Sequence, residues 1–285
     1  MDLDLVSRDS RAQLSTIGGS IRSLVLDGIS VIPSYPPGPP PLSAGIVLVP
    51  WPDRVEGARW THEGQSLQLP VTEPGRGHAL HGLLAHAEYS VAAQTPDSVR
   101  LEASIPSSPG YPFDLDTAVT YALDAAGLTT THEIVNRGSA SAPVALGAHP
   151  YFRIGGTPLE DHVLTIAASE RFVLDDSLVP RGRASVEGEA DFRGGRPVDA
   201  TGLHYALTDL DGSAHNLSAG GATVQIWTDP NFAVVQIFVA TAFPGGPALA
   251  IEPLTAPANA LNSGEGLRWL EPGETWTLRW GVRLG

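Results

Sequence analysis

The chain has 285 residues, 42% hydrophobic and 17% charged, enough to bury a sizeable core and unlike a disordered polypeptide. Its 31 acids against 17 bases leave a formal charge of −14, which argues against nucleic acid and anionic membranes as partners. Cysteine is absent and every base is arginine, which excludes disulfides, thiolate metal sites, cysteine nucleophiles and lysine Schiff bases.

The first residues, MDLDLVSRDSRAQ, carry acids where a secretory signal needs an apolar core. No run approaches the ~20 apolar residues of a membrane span, so a cytoplasmic protein is expected. Pro33 to Pro41, PSYPPGPPP, reads as a stiff surface loop in preference to a polyproline ligand, and strand-like sequence continues on both sides of it. Pro50-Trp-Pro-Asp-Arg54 is a rigid turn that presents an arginine. His78, His81 and His86 follow within HALHGLLAH. On a strand the spacing of the first two puts them on opposite faces, and Gly82 weakens a helix, so no metal site is expected.

Thr117–Leu123 and Leu128–Val135 flank Asp124-Ala-Ala-Gly127 as a hairpin. Thr223–Trp227 and Ala233–Ala240 flank Thr228-Asp-Pro-Asn231 as a second one. The apolar run Ala248–Ala250 leads to Glu252 near a strand end, and Trp276–Val282 alternates as a closing strand should. With 25 prolines and 31 glycines, few helices and no internal repeat, the chain reads as all-β. A single domain over residues 1–285 is expected, a large sandwich of mainly antiparallel strands with few short helices.

His149, within LGAHPYF, and Glu252, within IEPLT, each directly precede a proline. That restricts both backbones to extended geometry, which suits a catalytic side chain and equally suits a plain strand end. No G-x-S-x-G elbow and no G-x-G-x-x-G turn appears, so neither a serine triad nor a dinucleotide cofactor is expected.

The segments GGSIRSL, PWPDRVEGARWT, HALHGLL, GAHPYF, VVQIF and IEPLTAPANALNSGEGLRWLEPGE, in that order, resemble the aldose 1-epimerase (galactose mutarotase-like) family. The resemblance implies a β-supersandwich with a sugar pocket on one concave face and no cofactor or metal. It implies His149 as general acid, Glu252 as general base, Arg54 and His81 as sugar-binding residues, and Gln236 as a further sugar contact. At reference pKa values of about 4.3 and 6.5 such a glutamate is ionised and such a histidine poised at neutral pH. One position departs: where the family has a sugar-binding aspartate, Leu203-His-Tyr-Ala-Leu-Thr-Asp-Leu210 carries His204, which bears on the choice of sugar. The implied activity is interconversion of the α- and β-anomers of an aldose. The rival readings are a non-catalytic sugar-binding or sensing module on the same scaffold, and a glycoside hydrolase, whose usual carboxylate pair is not matched here.

Overall fold

In the computed structural model, which describes residues 1–212 and 214–285, the alternation of side chains sorts the strands into two layers. Leu128–Asn136 buries every second residue along its length and so has one face on the core. It pairs antiparallel with Leu115–Leu123, from Leu123 against Leu128 to Leu115 against Asn136, the first expected hairpin. Thr275–Leu284 closes against its other edge. These strands belong to a nine-stranded sheet that runs from Ser90–Gln94 to Arg196–Pro197. A second large sheet runs Pro180–Ser185, Ala168–Leu174, His204–Leu210, Val234–Ala240, Ala248–Leu254, Gly147–Ala148, Val47–Leu48, and a four-stranded sheet covers Asp2 to Ile32. The fold is an all-β antiparallel sandwich, and the one α-helix among the described residues, Ala260–Ser263, is a single turn. No helix of the described residues is long and apolar enough to cross a membrane.

The second expected hairpin does not form. Ala222–Thr228 lies in the nine-stranded sheet, while Val234–Ala240 lies in the other, between His204–Leu210 and Ala248–Leu254. Thr228-Asp-Pro-Asn231 is a crossover, pinned where the Asp229 amide donates to the Arg279 carbonyl and the Arg279 amide donates to Asp229 Oδ2, each at 2.8 Å. The reason is in the patterns. Ala222–Thr228 alternates, whereas Val234–Ala240 is almost continuously buried and belongs at the centre of a sheet covered on both faces.

That double cover shapes the site. Along Ala248–Leu254, wholly buried, Leu249 and Ile251 point into the main core between the sheets. Ala248 and Ala250 point outward, into a small apolar cluster with Tyr35, Tyr151, Ala240 and Phe243. Leu254 also points outward, into a second cluster with Ile46, Leu48, Phe172, Ala206 and Val234. The proline-rich segment is therefore more than a surface loop, since its Tyr35 is buried and its hydroxyl lies 3.0 Å from Ser20 Oγ. Between the two outer clusters the strand register leaves one pair, Gln236 directly opposite Glu252.

Candidate active site

Two short strands on either side of His149-Pro150 pair with the strand that carries Glu252: Gly147 against Leu254 and Tyr151 against Ala250. The His149 amide donates to the Ile46 carbonyl at 3.2 Å, and its ring stacks on Tyr151 with centroids 5.0 Å apart. Tyr151 is fixed in turn by its hydroxyl, which donates to the Leu42 carbonyl at 3.1 Å. Imidazole and carboxyl thus meet, with His149 Nε2 3.4 Å from Glu252 Oε1. Both line a cavity of about 450 Å³, together with Asp53, Arg54, Arg76, His81, His204, Gln236 and Phe238. That volume is of the size that small-molecule sites use.

Arg54 is held by a fork of charges. Its Nε and Nη2 donate to the two carboxylate oxygens of Glu73 at 2.9 and 3.0 Å, and Nη1 donates to Asp53 Oδ1 at 2.8 Å. Burial works against its charge, and Asp53 and Glu73 more than offset that, so the guanidinium stays protonated. The closing segment buttresses this loop: the Asn259 amide donates to the Arg54 carbonyl and Asn259 Oδ1 accepts from the Glu56 amide. His81 has a left-handed backbone, φ +60°, kept by its amide donating to the Asp53 carbonyl at 2.9 Å. Its ring meets that of His149 edge-on at 5.2 Å.

Desolvation governs the titrating groups, and both members of the pair depart from the values of exposed side chains. Burial drives the Glu252 carboxyl well above the usual range; Asp53 adds to this and Arg54 opposes it. Burial pushes His149 down to about 4, with Arg54 adding to the effect, and holds His81 well below its ordinary value. The same burial thus favours the uncharged form of each group, a protonated carboxyl and a neutral imidazole. Several polar atoms facing this region have no partner: both side-chain atoms of Gln236, and Nδ1 of His81 and of His149. Buried polar groups are usually met by another residue, by water or by a bound ligand, and here they face a cavity open to either of the last two.

The six residues marked in the sequence, Arg54, His81, His149, His204, Gln236 and Glu252, all line this one cavity. The other histidines of the HALHGLLAH segment do not join them: buried His78 accepts from the Gly57 amide at 3.1 Å, and His86 is exposed.

The family model for aldose 1-epimerase matches residues 3–283. The chain belongs to the aldose 1-epimerase family. It is 30% identical over 283 residues to the uncharacterized protein YihR of Escherichia coli K12, covering 95% of this chain and 89% of that one. It is 33% identical to galactose mutarotase of Rattus norvegicus over 175 residues, a match that spans 58% of this chain and 48% of the rat protein. Among solved structures it superposes on a galactose mutarotase-like protein from Clostridium acetobutylicum with a TM-score of 0.86 at 16% identity, covering 99% and 94% of the two chains. At that identity the likeness speaks for the fold.

Sequence reasoning missed Glu73, Arg76 and the role of Asp53 beside Arg54. Glu73 and Arg76 sit in an unremarkable turn, TEPGRGH, whose link to Arg54 exists only once Arg54-Val55 pairs with Ala79-Leu80. Asp53 was in view as part of the turn, but its left-handed backbone, φ +52°, could not be read from composition.

Proposed function

We propose that the chain, acting as one unit over residues 1–285, interconverts the α- and β-anomers of an aldose by acid–base ring opening and reclosure. The observation that carries this reading is the 3.4 Å approach of His149 Nε2 to Glu252 Oε1 in a cavity with unpartnered polar atoms. A sugar hydroxyl that donates to Glu252 replaces lost hydration and favours the carboxylate, passing the shared proton to His149. The carboxylate then takes the proton of the anomeric hydroxyl as the imidazolium gives one to the ring oxygen. The ring opens to the aldehyde, C1–C2 rotates, and reclosure on the other face reverses both transfers. Arg54 cannot deprotonate, and its role is to orient hydroxyls and steady charge that develops on oxygen. His81 and Gln236 supply further hydrogen bonds to the ring.

Polarimetry on freshly dissolved α-anomers of glucose, galactose, xylose and arabinose tests this. Wild type should speed the approach to equilibrium, and Glu252→Gln should lower the rate by about 10²–10⁴-fold. Saturable sugar binding with no acceleration by wild type would instead leave a binding module on this scaffold.

A further inference from the structure

Among the described residues, eleven other than glycine have a left-handed backbone, and five of them line the cavity of the acid–base pair: Leu42, Ser43, Asp53, His81 and Leu178. Aspartate visits that region at small cost, whereas a leucine stays there only where its surroundings force it. Leu42 has φ +51° and Leu178 φ +63°. Glycine would be free of strain at both positions. What leucine adds is its side chain, and folding makes little use of it. Leu42 is 49% exposed, Leu178 is partly buried, and neither packs on a hydrophobic cluster of the described residues.

Hydrogen bonds hold both backbones in place. The Leu42 carbonyl accepts from the Tyr151 hydroxyl at 3.1 Å, and Tyr151 is the ring on which His149 stacks. The carbonyls on either side are tied as well, that of Pro41 to the Ala44 amide at 2.9 Å and that of Ser43 to the Ile46 amide at 3.3 Å. Leu178 sits in a turn built on Asp175, whose Oδ1 accepts from the Ser177 and Val179 amides at 2.9 and 3.0 Å. Arg181 then donates from Nε to Asp175 Oδ2 at 2.8 Å and from Nη1 to Glu56 Oε2 at 3.1 Å, just beyond Arg54 in the chain. The two leucines thus come from separate loops, one anchored beside the proposed acid and the other beside the arginine.

We infer that Leu42 and Leu178 contact the substrate, as an apolar rim that packs on the C–H face of the bound sugar ring. The polar groups of the cavity meet hydroxyls, and the carbon face of a sugar needs apolar cover that they cannot give. Two leucines without a core of their own have that surface to offer. Their backbones are already fixed, so seating a ligand against them costs little further ordering. The strain is accepted because it aims these side chains at the cavity. This inference rests on the mutarotase reading of the site.

The test measures kcat and KM for mutarotation of whichever of glucose, galactose, xylose and arabinose wild type accelerates most, with urea unfolding of every variant. Leu42→Gly, Leu42→Asn, Leu178→Gly and Leu178→Asn all suit a left-handed backbone, and asparagine comes near to leucine in size, so the urea midpoints should hold or rise. Each variant should raise KM by about 3–10-fold, the worth of the apolar area that a partly exposed leucine loses to water, with kcat within about twofold of wild type. Leu42→Met, still apolar, should stay within about twofold of wild type in both. A KM left unmoved by the glycine and asparagine variants, or raised only where the urea midpoint falls, overturns the inference while the mutarotase reading stands. No acceleration of any sugar by wild type removes both.

Discussion

Arg54 makes three charge-assisted hydrogen bonds in one plane, and a lysine at that position could keep the charge and not the geometry. Arg54→Lys should therefore lower kcat/KM for mutarotation by about 10–100-fold, through lost positioning of Glu73 and Asp53 as well as of the sugar. A variant within twofold of wild type would show that only the charge matters. Six residues of the cavity were legible through the family resemblance, which segments such as PWPDR, HALHG, GAHPYF, VVQIF and IEPLT carry. Glu73 and Arg76 were not, because nothing in the sequence around them marks contact with a residue about twenty positions earlier. The electrostatics of the pair are not legible in sequence for a related reason. Reference pKa values assume water, and both groups have lost it.

At the scale of elements, the site depends on how two loops lean on each other. Gly82 has φ +77° and bridges to Val49, and a Cβ there would lie 2.0 Å from the Val49 carbonyl oxygen. Gly82→Ala forces apart the segment that holds His81 and the turn that holds Arg54. We expect a loss of about 2–4 kcal/mol in urea unfolding, with a drop in kcat/KM in whatever folds. An unchanged melting temperature would mean that the loops move independently. The hairpin at Asp124–Gly127 was readable because both flanking runs show the same alternation. The crossover at Thr228–Asn231 was not, because a short turn between two strand-like runs looks the same whether the chain returns in its own sheet or leaves it. The near-continuous apolar run of Val234–Ala240 is what marks a strand covered on both faces.

For the whole molecule, buried histidines couple folding to pH. Burial pushes His132 down to about 3 and His215 and His149 down to about 4. Unfolded imidazoles titrate near ~6.5, so below that pH the unfolded chain takes up protons the folded one refuses. Stability is fully present above ~6.5 and is lost as the pH falls through the folded values. Glu252 has the opposite sign: with its pKa raised, its contribution is present below ~4.5 and is lost as the pH rises through the folded value. His215 lies in the nine-stranded sheet and not in the sheet that carries Glu252, with neither ring nitrogen partnered. His215→Leu should shrink the fall in unfolding free energy between about pH 7 and pH 4.5 by about 2–3 kcal/mol. An equal fall in both proteins would show that His215 does not couple folding to acid.

Gln236 and Glu252 interrupt an outward face that is otherwise greasy on either side of them. Two aliphatic residues there would fuse the flanking clusters into a single seam and relieve the unmet amide. The protein forgoes that gain at the very spot where it needs a wettable floor. If variants were chosen only for surviving heat, the floor is where inert replacements should gather first, and the sturdiest survivors would be the ones that had stopped working.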